Sequence, residues 1–582
     1  MQAATFVEGF RLSPQQRKLW KLQDSTGDFR SFNSVLVLLL EGELRTDALR
    51  EALERVCARH ESLRTTFRRV PGVLMPVQSV ERILAPSWRT IDLSDLTGSA
   101  QDDEVGALLA LERRRTFDYE NGPLVHATLL VLSSKRALLS VCMPVLCGDR
   151  RTLANFGRSL SGCYAETVNR SELVDEALQY SQFSEWQNSL WEEEEDVAKA
   201  QEYWSRQDFS GAILALPGQI AGRGEIAERP RELRLVVSLP AQGANATVLL
   251  AAWQTFLWRL AQQQVVIGNV VDGRSYELLH DTFGLIERVL PVSSELTEGL
   301  RFAEVVAQIE RFQRESEEWQ DYFDRDLSSE VVPEHFAFGF EYAVLPDTCE
   351  AAGLRVSVSD WHCNSERFDL KLLCIANGFE REVANGSELE LRFEFDSEAF
   401  AEAHVRHLAD QFQTLLNAAL AHPETSIDQL PIISESERRE ILITWNNTRR
   451  DYPSFESAKS VVQLFERQVA QRPDTLAAVF QNQQLTFAEL NRRANQVAHY
   501  LQAQGVGPET PVGISFEPSL EMLIAVFGVL KAGGAYVPVD PHNPQQRIDD
   551  VLADAGVSLL LTDLRTSTSE TSANPQTEIA AE

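Results

Sequence analysis

The residues with the clearest capacity for chemistry lie in one short segment, 144–150, which reads Pro-Val-Leu-Cys-Gly-Asp-Arg. Cys147 offers a thiol, which is a candidate nucleophile, and Arg150 offers a guanidinium that could stabilise an oxyanion. Each residue also has a simpler interpretation, which we favour. No histidine lies beside Cys147 in the sequence to activate it, so we expect a small residue packed in a tight turn. We expect Arg150 on the surface or bound to Asp149.

Local patterns predict the elements that position this segment. Ser13 is a predicted helix N-cap, and Pro14 suits the first turn of the helix that follows. The other predicted elements are a strand over 34–40, an amphipathic helix over 47–60, a hairpin of strands 125–132 and 137–146, and a helix whose apolar face carries Val405, Leu408, Phe412, Leu415 and Leu416. The candidate segment therefore begins at the end of the second hairpin strand.

Composition excludes several classes of function. The net charge of −32 argues against nucleic acid or an anionic membrane as a partner. The seven cysteines are scattered without a Cys-x-x-Cys pair, which is typical of buried thiols in a reducing compartment. No apolar stretch approaches the 18 residues of a membrane span, and the first residues lack a basic leader. We expect a cytoplasmic protein without a metal site.

The pattern of elements predicts several domains. Mixed helices and strands over about 430 residues indicate an α/β body of two lobes, which we place at 8–175 and 176–433. A polar stretch with turn residues, 434–460, is a predicted linker. A third unit follows over 461–565, and the Ser-, Thr- and Glu-rich tail, 566–582, is a low-complexity segment that we expect to be disordered.

Ordered motifs give the chain a resemblance to nonribosomal peptide synthetases. Residues 530–540 read Leu-Lys-Ala-Gly-Gly-Ala-Tyr-Val-Pro-Val-Asp, which resembles the second core motif of their adenylation domains. The region before it resembles a condensation domain, and Arg-His-Glu-Ser-Leu-Arg-Thr-Thr-Phe at 59–67 is its most specific match. The further matches are 12–20, 180–186, 272–274 with Gly284 and 290–291, the triplet 368–370, and the linker 430–453.

This resemblance implies a fold and a set of partners. The expected fold is α/β, with two chloramphenicol-acetyltransferase-like lobes in a V-shaped pseudodimer around a tunnel, then a partial α/β adenylation N-terminal subdomain. The family joins acyl groups carried on phosphopantetheine by peptidyl carrier protein domains, so these carriers and the rest of the adenylation domain are the expected partners. Neither a carrier Gly-Gly-x-Ser site nor the Gly-rich phosphate loop for ATP occurs in the sequence. We therefore expect a piece of a larger synthetase that binds no cofactor itself, with ATP used only by a complete adenylation domain.

The catalytic motif departs from the family pattern, which is His-His-x-x-x-Asp-Gly. Pro144 and Val145 stand at the two His positions, Asp149 keeps the Asp, and Arg150 replaces the Gly. The fifth motif has Arg288 where Asn is usual and Ser293 where Arg is usual. Since Val145 can neither accept nor donate a proton, the family's general base is missing.

Two functions fit this loss. The favoured one is a non-catalytic scaffold between carrier and adenylation domains, which could also recruit a tailoring enzyme. In that case Asp149 is structural, with Arg64 as its predicted partner. The alternative is a divergent acyltransferase that forms an amide or ester bond between carrier-bound substrates, with Asp149, Cys147 or Arg150 near the thioester.

Overall fold

The computed structural model describes residues 9–27, 32–170, 177–209, 216–220, 230–238, 244–323, 335–377, 388–450, 458–562 and 577–580. The chain divides into two compact units, Met1–Thr444 and Trp445–Glu582, each described by itself. The division falls within the predicted linker at 434–460, of which 451–457 lie outside the described residues.

The first unit alternates helices and strands. Its helices are α1 (Pro14–Thr26), α2 (Thr46–Arg59), α3 (Ser99–Arg113), α4 (Arg150–Asn169), α5 (Tyr180–Leu190), α6 (Glu194–Ser205), α7 (Ala246–Ala261), α8 (Phe302–Glu317), α9 (Glu402–Ala421) and α10 (Glu435–Arg439). Its strands are β1 (Asn33–Gly42), β2 (Thr65–Arg68), β3 (Val77–Val80), β4 (Ser87–Asp92), β5 (His126–Ser133), β6 (Arg136–Pro144), β7 (Pro230–Ser238), β8 (Ile267–Val271), β9 (Arg288–Val292), β10 (Phe338–Leu345), β11 (Cys349–Ala351), β12 (Leu354–His362), β13 (Leu370–Asn377) and β14 (Glu388–Asp396).

The first lobe is built on a six-stranded sheet of order β11-β12-β1-β6-β5-β4. Strand β1 is apolar on both faces because both are covered. Leu36 and Leu38 pack with the core that includes α2 and α4, whereas Val35 and Val37 pack on the opposite side, against the face of α3. A near-continuous apolar run is typical of such a central strand.

The second lobe repeats this plan with a six-stranded sheet of order β7-β14-β13-β10-β8-β9. Helices α7 and α9 bury Trp253, Phe256 and Phe412 in its core, where their rings meet at 5.5–5.9 Å between centroids. Offset and edge-on ring contacts of this kind add to the burial of apolar area. The two sheet-and-helix lobes are those that the resemblance implies.

The later part of the chain contributes two strands to the sheet of the first lobe. Strands β11 and β12 lie late in the chain, beyond residue 348, yet β12 pairs antiparallel with β1 of the first lobe. The sheets therefore do not divide at residue 175, where the sequence suggested a boundary. That prediction followed sequence order, and β-pairing over more than 300 residues leaves no local signal.

The local predictions around the candidate segment are confirmed. Helix α1 starts with Ser13 as its N-cap, whose side chain accepts a hydrogen bond from the backbone N–H of Gln16, and with Pro14 at its first position. Strand β1, helix α2, the β5–β6 hairpin and the buried face of α9 also lie where apolar periodicity predicts them.

The second unit contains helices α11 (Val461–Gln471), α12 (Phe487–Ala503), α13 (Leu520–Ala532) and α14 (Gln545–Asp554), and strands β15 (Leu476–Phe480), β16 (Gln483–Thr486), β17 (Pro511–Ser515), β18 (Ala535–Pro538), β19 (Leu559–Thr562) and β20 (Thr577–Ala580). Its parallel sheet has the order β18-β17-β19-β20. Gly533 ends α13 with φ of 93°, and a Cβ on Gly534 would lie 2.9 Å from the carbonyl oxygen of Thr510. The Gly-Gly pair therefore serves a turn that side chains would block.

The tail differs from its prediction in one place. Strand β20 extends the sheet by pairing parallel with β19, although its composition gave no packing pattern. The rest of the tail, 566–576 and 581–582, lies outside the described residues. Within the described part of the chain, no helix combines the length and apolar character needed to cross a bilayer.

Candidate active site

The candidate segment forms the turn between β6 and α4. Strand β6 ends at Pro144, a single 3₁₀ turn covers 145–147, and Asp149 is the N-cap of α4. The backbone N–H of Val145 donates to the carbonyl of Phe32, 3.0 Å away, which fixes the turn to the start of β1. Pro144 has no backbone N–H with which to continue the β-sheet hydrogen bonds, and aspartate is a favoured residue at a helix N-cap. The local sequence therefore explains both the end of β6 and the start of α4.

Asp149 is fully buried and holds the two lobes together. Its carboxylate accepts hydrogen bonds from the backbone N–H groups of Thr152, Ile286 and Glu287 at 2.9–3.0 Å, and from both terminal nitrogens of Arg274 at 2.9 Å. Burial alone raises its pKa, but the Arg274 guanidinium and these hydrogen bonds hold that pKa below its ordinary value. Both of its oxygens thus accept several hydrogen bonds, an arrangement that favours a structural anion over a proton acceptor.

The predicted partner of Asp149 is therefore wrong. Arg64 instead donates to the carbonyl oxygen of Glu81 at 2.7 Å and lies 3.7 Å from the Glu61 carboxylate. Arg64 is the last residue of the 3₁₀ turn before β2. Its side chain contacts Glu81, which comes directly after the neighbouring strand β3. Arg274 reaches Asp149 from 125 residues away, a separation that sequence spacing cannot bridge.

Arg150 is neither on the surface nor bound to Asp149, which corrects that prediction also. Its guanidinium is buried, pairs with the Glu341 carboxylate of β10, and donates to the carbonyl of Cys363 at 3.1 Å. Lys371 of β13 lies 2.7 Å from Glu341 and continues this network. Although burial raises the pKa of Glu341, its two cations lower that pKa to about 2. An arginine of the first lobe thus forms a buried ion pair with the second lobe.

The candidate nucleophile is inaccessible. Cys147 is 1% exposed, and Val145, at the position of the family's second histidine, is fully buried. Burial raises the pKa of the Cys147 thiol well above its ordinary value, so the thiol stays protonated near neutral pH. The interpretation of Cys147 as a small packed residue agrees with this environment.

Sequence reasoning missed one titratable residue, Glu287. Its carboxyl accepts hydrogen bonds from the Ser365 hydroxyl and, at 3.3 Å, from the backbone N–H of Arg150. No described cation forms an ion pair with it. Burial, followed by the negative charges of Asp149 and Glu341, raises its pKa to about 7. The signal in the sequence was a glutamate inside the apolar run 285–292, next to the unusual Arg288.

Glu287 lines a narrow cavity between the lobes. The cavity has a volume of about 60 Å³, and Lys18, Gln187, Asp321 and Ser365 are among its other lining residues. That volume holds roughly four to six water molecules, whereas ligand sites usually measure about 300–1,000 Å³. This cavity is therefore smaller than a usual ligand site, and its wall carries one carboxyl whose pKa lies near neutral pH.

The comparisons with known proteins agree with this architecture. The family model described as Condensation domain matches residues 8–442. The chain belongs to the condensation domain family. Residues 465–582 match the family model described as AMP-binding enzyme, so the condensation domain is followed by the start of an adenylation domain.

Relatives of this condensation domain chain are large synthases. One of the subunits of linear gramicidin synthase from Brevibacillus parabrevis is 32% identical over 577 residues, which covers 95% of this chain and 11% of the relative. Chondramide synthase of Chondromyces crocatus is 31% identical over 577 residues, covering 95% of this chain and 14% of the relative. The chain thus spans a small part of the length of these relatives.

Solved structures share the fold of this condensation domain chain. A four-domain nonribosomal peptide synthetase bound to AMP and glycine matches with a TM-score of 0.74 at 16% identity, covering 99% of this chain and 44% of that one. The X-domain from teicoplanin biosynthesis, in a complex with OxyB, matches with a TM-score of 0.62 at 22% identity, covering 74% of this chain and 98% of that one.

Proposed function

We propose that this condensation domain is a non-catalytic scaffold in a nonribosomal peptide synthetase, positioned between an upstream carrier and its own adenylation domain. One observation carries the proposal. At the position of the family's general base the chain has Val145, which is fully buried, and the neighbouring Asp149 and Arg150 are both committed to ion pairs that join the lobes. Asp149 and Arg150 therefore stabilise the contact between the lobes.

The energetics agree with a weak catalyst at best. A positioned acid–base group contributes about 10²–10⁴-fold to a rate, or roughly 3–5 kcal/mol. Holding two substrates in reacting geometry supplies up to roughly 7–11 kcal/mol, but this requires room for both. The cavity of about 60 Å³ beside Glu287 does not by itself provide that room.

A second candidate function rests on Glu287. Its carboxyl has a pKa of about 7 and lines a cavity between the lobes, so it can take a proton from an attacking amine or hydroxyl that reaches this cavity. In that acyltransferase the nucleophile attacks the thioester carbonyl, the C–N or C–O bond forms and the C–S bond breaks. Glu287 then passes the proton to the leaving thiolate. The cavity of about 60 Å³ beside Glu287 would first have to widen.

The proposed partners follow from this position in a synthetase. Peptidyl carrier domains bring phosphopantetheine-bound groups to the scaffold, and the complete adenylation domain uses ATP. The X-domain complex with OxyB is a case in which this fold holds a second protein, so a recruited tailoring enzyme is part of the proposal. We place the synthetase in the cytoplasm, where the seven unpaired cysteines agree with a reducing environment.

Intact-protein mass spectrometry of a transfer assay tests this function. The donor carrier would be loaded with an aminoacyl phosphopantetheine, and the acceptor carrier with a second one. We expect both carriers to bind without transfer above that of the carriers alone. Transfer lost in Glu287→Gln would establish the acyltransferase instead, and an acyl adduct on the chain lost in Cys147→Ala would identify a covalent route.

A further inference from the structure

Five large side chains lie at the surface of the first unit, two of them exposed and three half-buried, and we name them the aromatic surface: Trp186, Trp191, Tyr276, Leu278 and Tyr322. The rings of Trp186 and Tyr276 meet edge to face at 5.6 Å, and those of Trp191 and Tyr322 lie 6.2 Å apart. Tyr276 is 54% exposed and Leu278 is 79% exposed. Exposed tyrosine and leucine side chains that lie beside half-buried aromatic rings are typical of interaction sites.

The aromatic surface is held rigid from beneath. Arg288 donates to the backbone carbonyl of Gln320 at 2.6 Å and pairs with Asp321 at 2.7 Å. Asp321 accepts from Gln187 of α5 at 3.0 Å, and Gln320 donates to Ser275 at 2.9 Å. The segments that carry the aromatic rings are thus tied to one buried arginine, which is a residue where the family motif has Asn. A rigid patch loses little entropy when a partner binds.

Acidic groups border the aromatic surface. Glu277 lies between Tyr276 and Leu278, and Glu193 lies close to Tyr322, whose pKa is raised by burial first and then by the negative charges of Asp196, Glu193 and Asp321. Neither Glu193 nor Glu277 forms an ion pair with any residue that the structure describes.

A groove of mixed charge lies next to the aromatic surface. It has a volume of about 640 Å³, and its charged lining residues are Asp272, Glu310, Glu317, Arg274 and Arg314. Arg274 pairs with Asp272 at 2.6 Å, so Glu310 and Glu317 supply its acidic character. Ser275 precedes Tyr276 in the sequence, and Gln320 lies two residues before Tyr322, so the groove is lined by the segments that carry the patch.

We propose that the aromatic surface is the docking site of a partner protein that presents arginine side chains beside an apolar residue. Guanidinium groups stack on tyrosine and tryptophan rings and pair with carboxylates, which are the two features that alternate here. The proposal rests on the scaffold role, since a scaffold acts by holding other proteins. A second copy of this chain is disfavoured because it would bring one acidic border against another.

Labelled peptides test this docking site on the full chain. The probe is a fluorescein-labelled peptide with two arginines flanking a leucine, and the control peptide has glutamates in place of the arginines. Binding is measured by fluorescence anisotropy at low and high salt. The variants are Tyr276→Ala and Leu278→Ser, with Leu74→Ser as the matched control because Leu74 is 92% exposed on the β2–β3 hairpin.

We expect the arginine peptide to bind more weakly to each surface variant, by about tenfold or more, and equally well to the Leu74 variant. Its affinity should fall as salt rises. Absence of binding, equal binding of the glutamate peptide, or equal binding to all variants would overturn the docking site. Dimerisation of the native chain in sedimentation, lost in Leu278→Ser, would assign the surface to self-association instead. The peptide assay measures binding, and the carrier assay measures acyl transfer. Acyl transfer would refute the scaffold role, whereas loss of peptide binding would refute only the docking site.

Discussion

The buried carboxyl of Glu287 leads to a prediction about stability. Glu287→Gln keeps the shape of the side chain and an oxygen that can accept the hydrogen bond from Ser365. Like the protonated carboxyl, the amide carries hydrogen on its second polar atom and has no charge. Any pH-dependent difference between the native chain and this variant therefore reports on the ionisation of Glu287.

The magnitude follows from the raised pKa. Folding moves the pKa of Glu287 from 4.5 to about 7, so between these values the folded state holds a proton that the unfolded state has released. Stability consequently falls as pH rises through this window, and the full loss is reached above pH 7. A change of this size corresponds to roughly 3 kcal/mol.

Urea unfolding at half-unit steps from about pH 4.5 to about pH 8 measures this effect. The free energy of unfolding of Glu287→Gln should be close to that of the native chain near pH 4.5 and exceed it by about 3 kcal/mol at about pH 8. The exposed Glu277→Gln variant is the matched control for loss of one negative charge. A difference that stays constant across this range, or one that grows toward acid, would show that folding does not raise the pKa of Glu287 and refute the argument.

Three further predictions concern the lobe interface. Arg274→Ala leaves Asp149 buried without its cation, so the free energy of unfolding in urea should fall by about 3–5 kcal/mol. Arg64→Ala should lower it by only about 1 kcal/mol, and equal losses in the two variants would contradict the observed pairing. Arg150→Met removes the buried ion pair to the second lobe, and calorimetry should show a loss of about 3 kcal/mol. Cys147 should resist iodoacetamide in the native chain at mildly alkaline pH and react only after unfolding; rapid native labelling in peptide mass spectra would show that the turn opens.

Sequence patterns predicted the helices and strands whose formation depends on residues close together in the chain. The N-cap Ser13, the following Pro14 and the apolar face of α9 each depend on residues within a few positions, and each is confirmed. The family motifs added the two-lobed plan, because ordered residue strings carry information that periodicity lacks.

The environment of the site could not be predicted in the same way. Asp149 was identified from its motif, but its partner Arg274 is 125 residues away, and Arg150 meets Glu341 over 191 residues. Glu287 acquires its raised pKa from burial and from the negative charges of Asp149 and Glu341, which lie on distant segments. Contacts of this range depend on how the lobes pack, which a single sequence does not reveal.

The pairing of β1 with a strand from late in the chain has a consequence for synthesis on the ribosome. Strand β1 emerges early, with the apolar run Val-Leu-Val-Leu-Leu-Leu at 35–40, but its neighbour β12 ends at His362. At a synthesis rate of about 5–20 residues per second, roughly 15–65 s pass between the synthesis of β1 and that of β12. An unpaired apolar edge invites pairing with other chains. Nascent chains of this protein should therefore depend on chaperones during that interval.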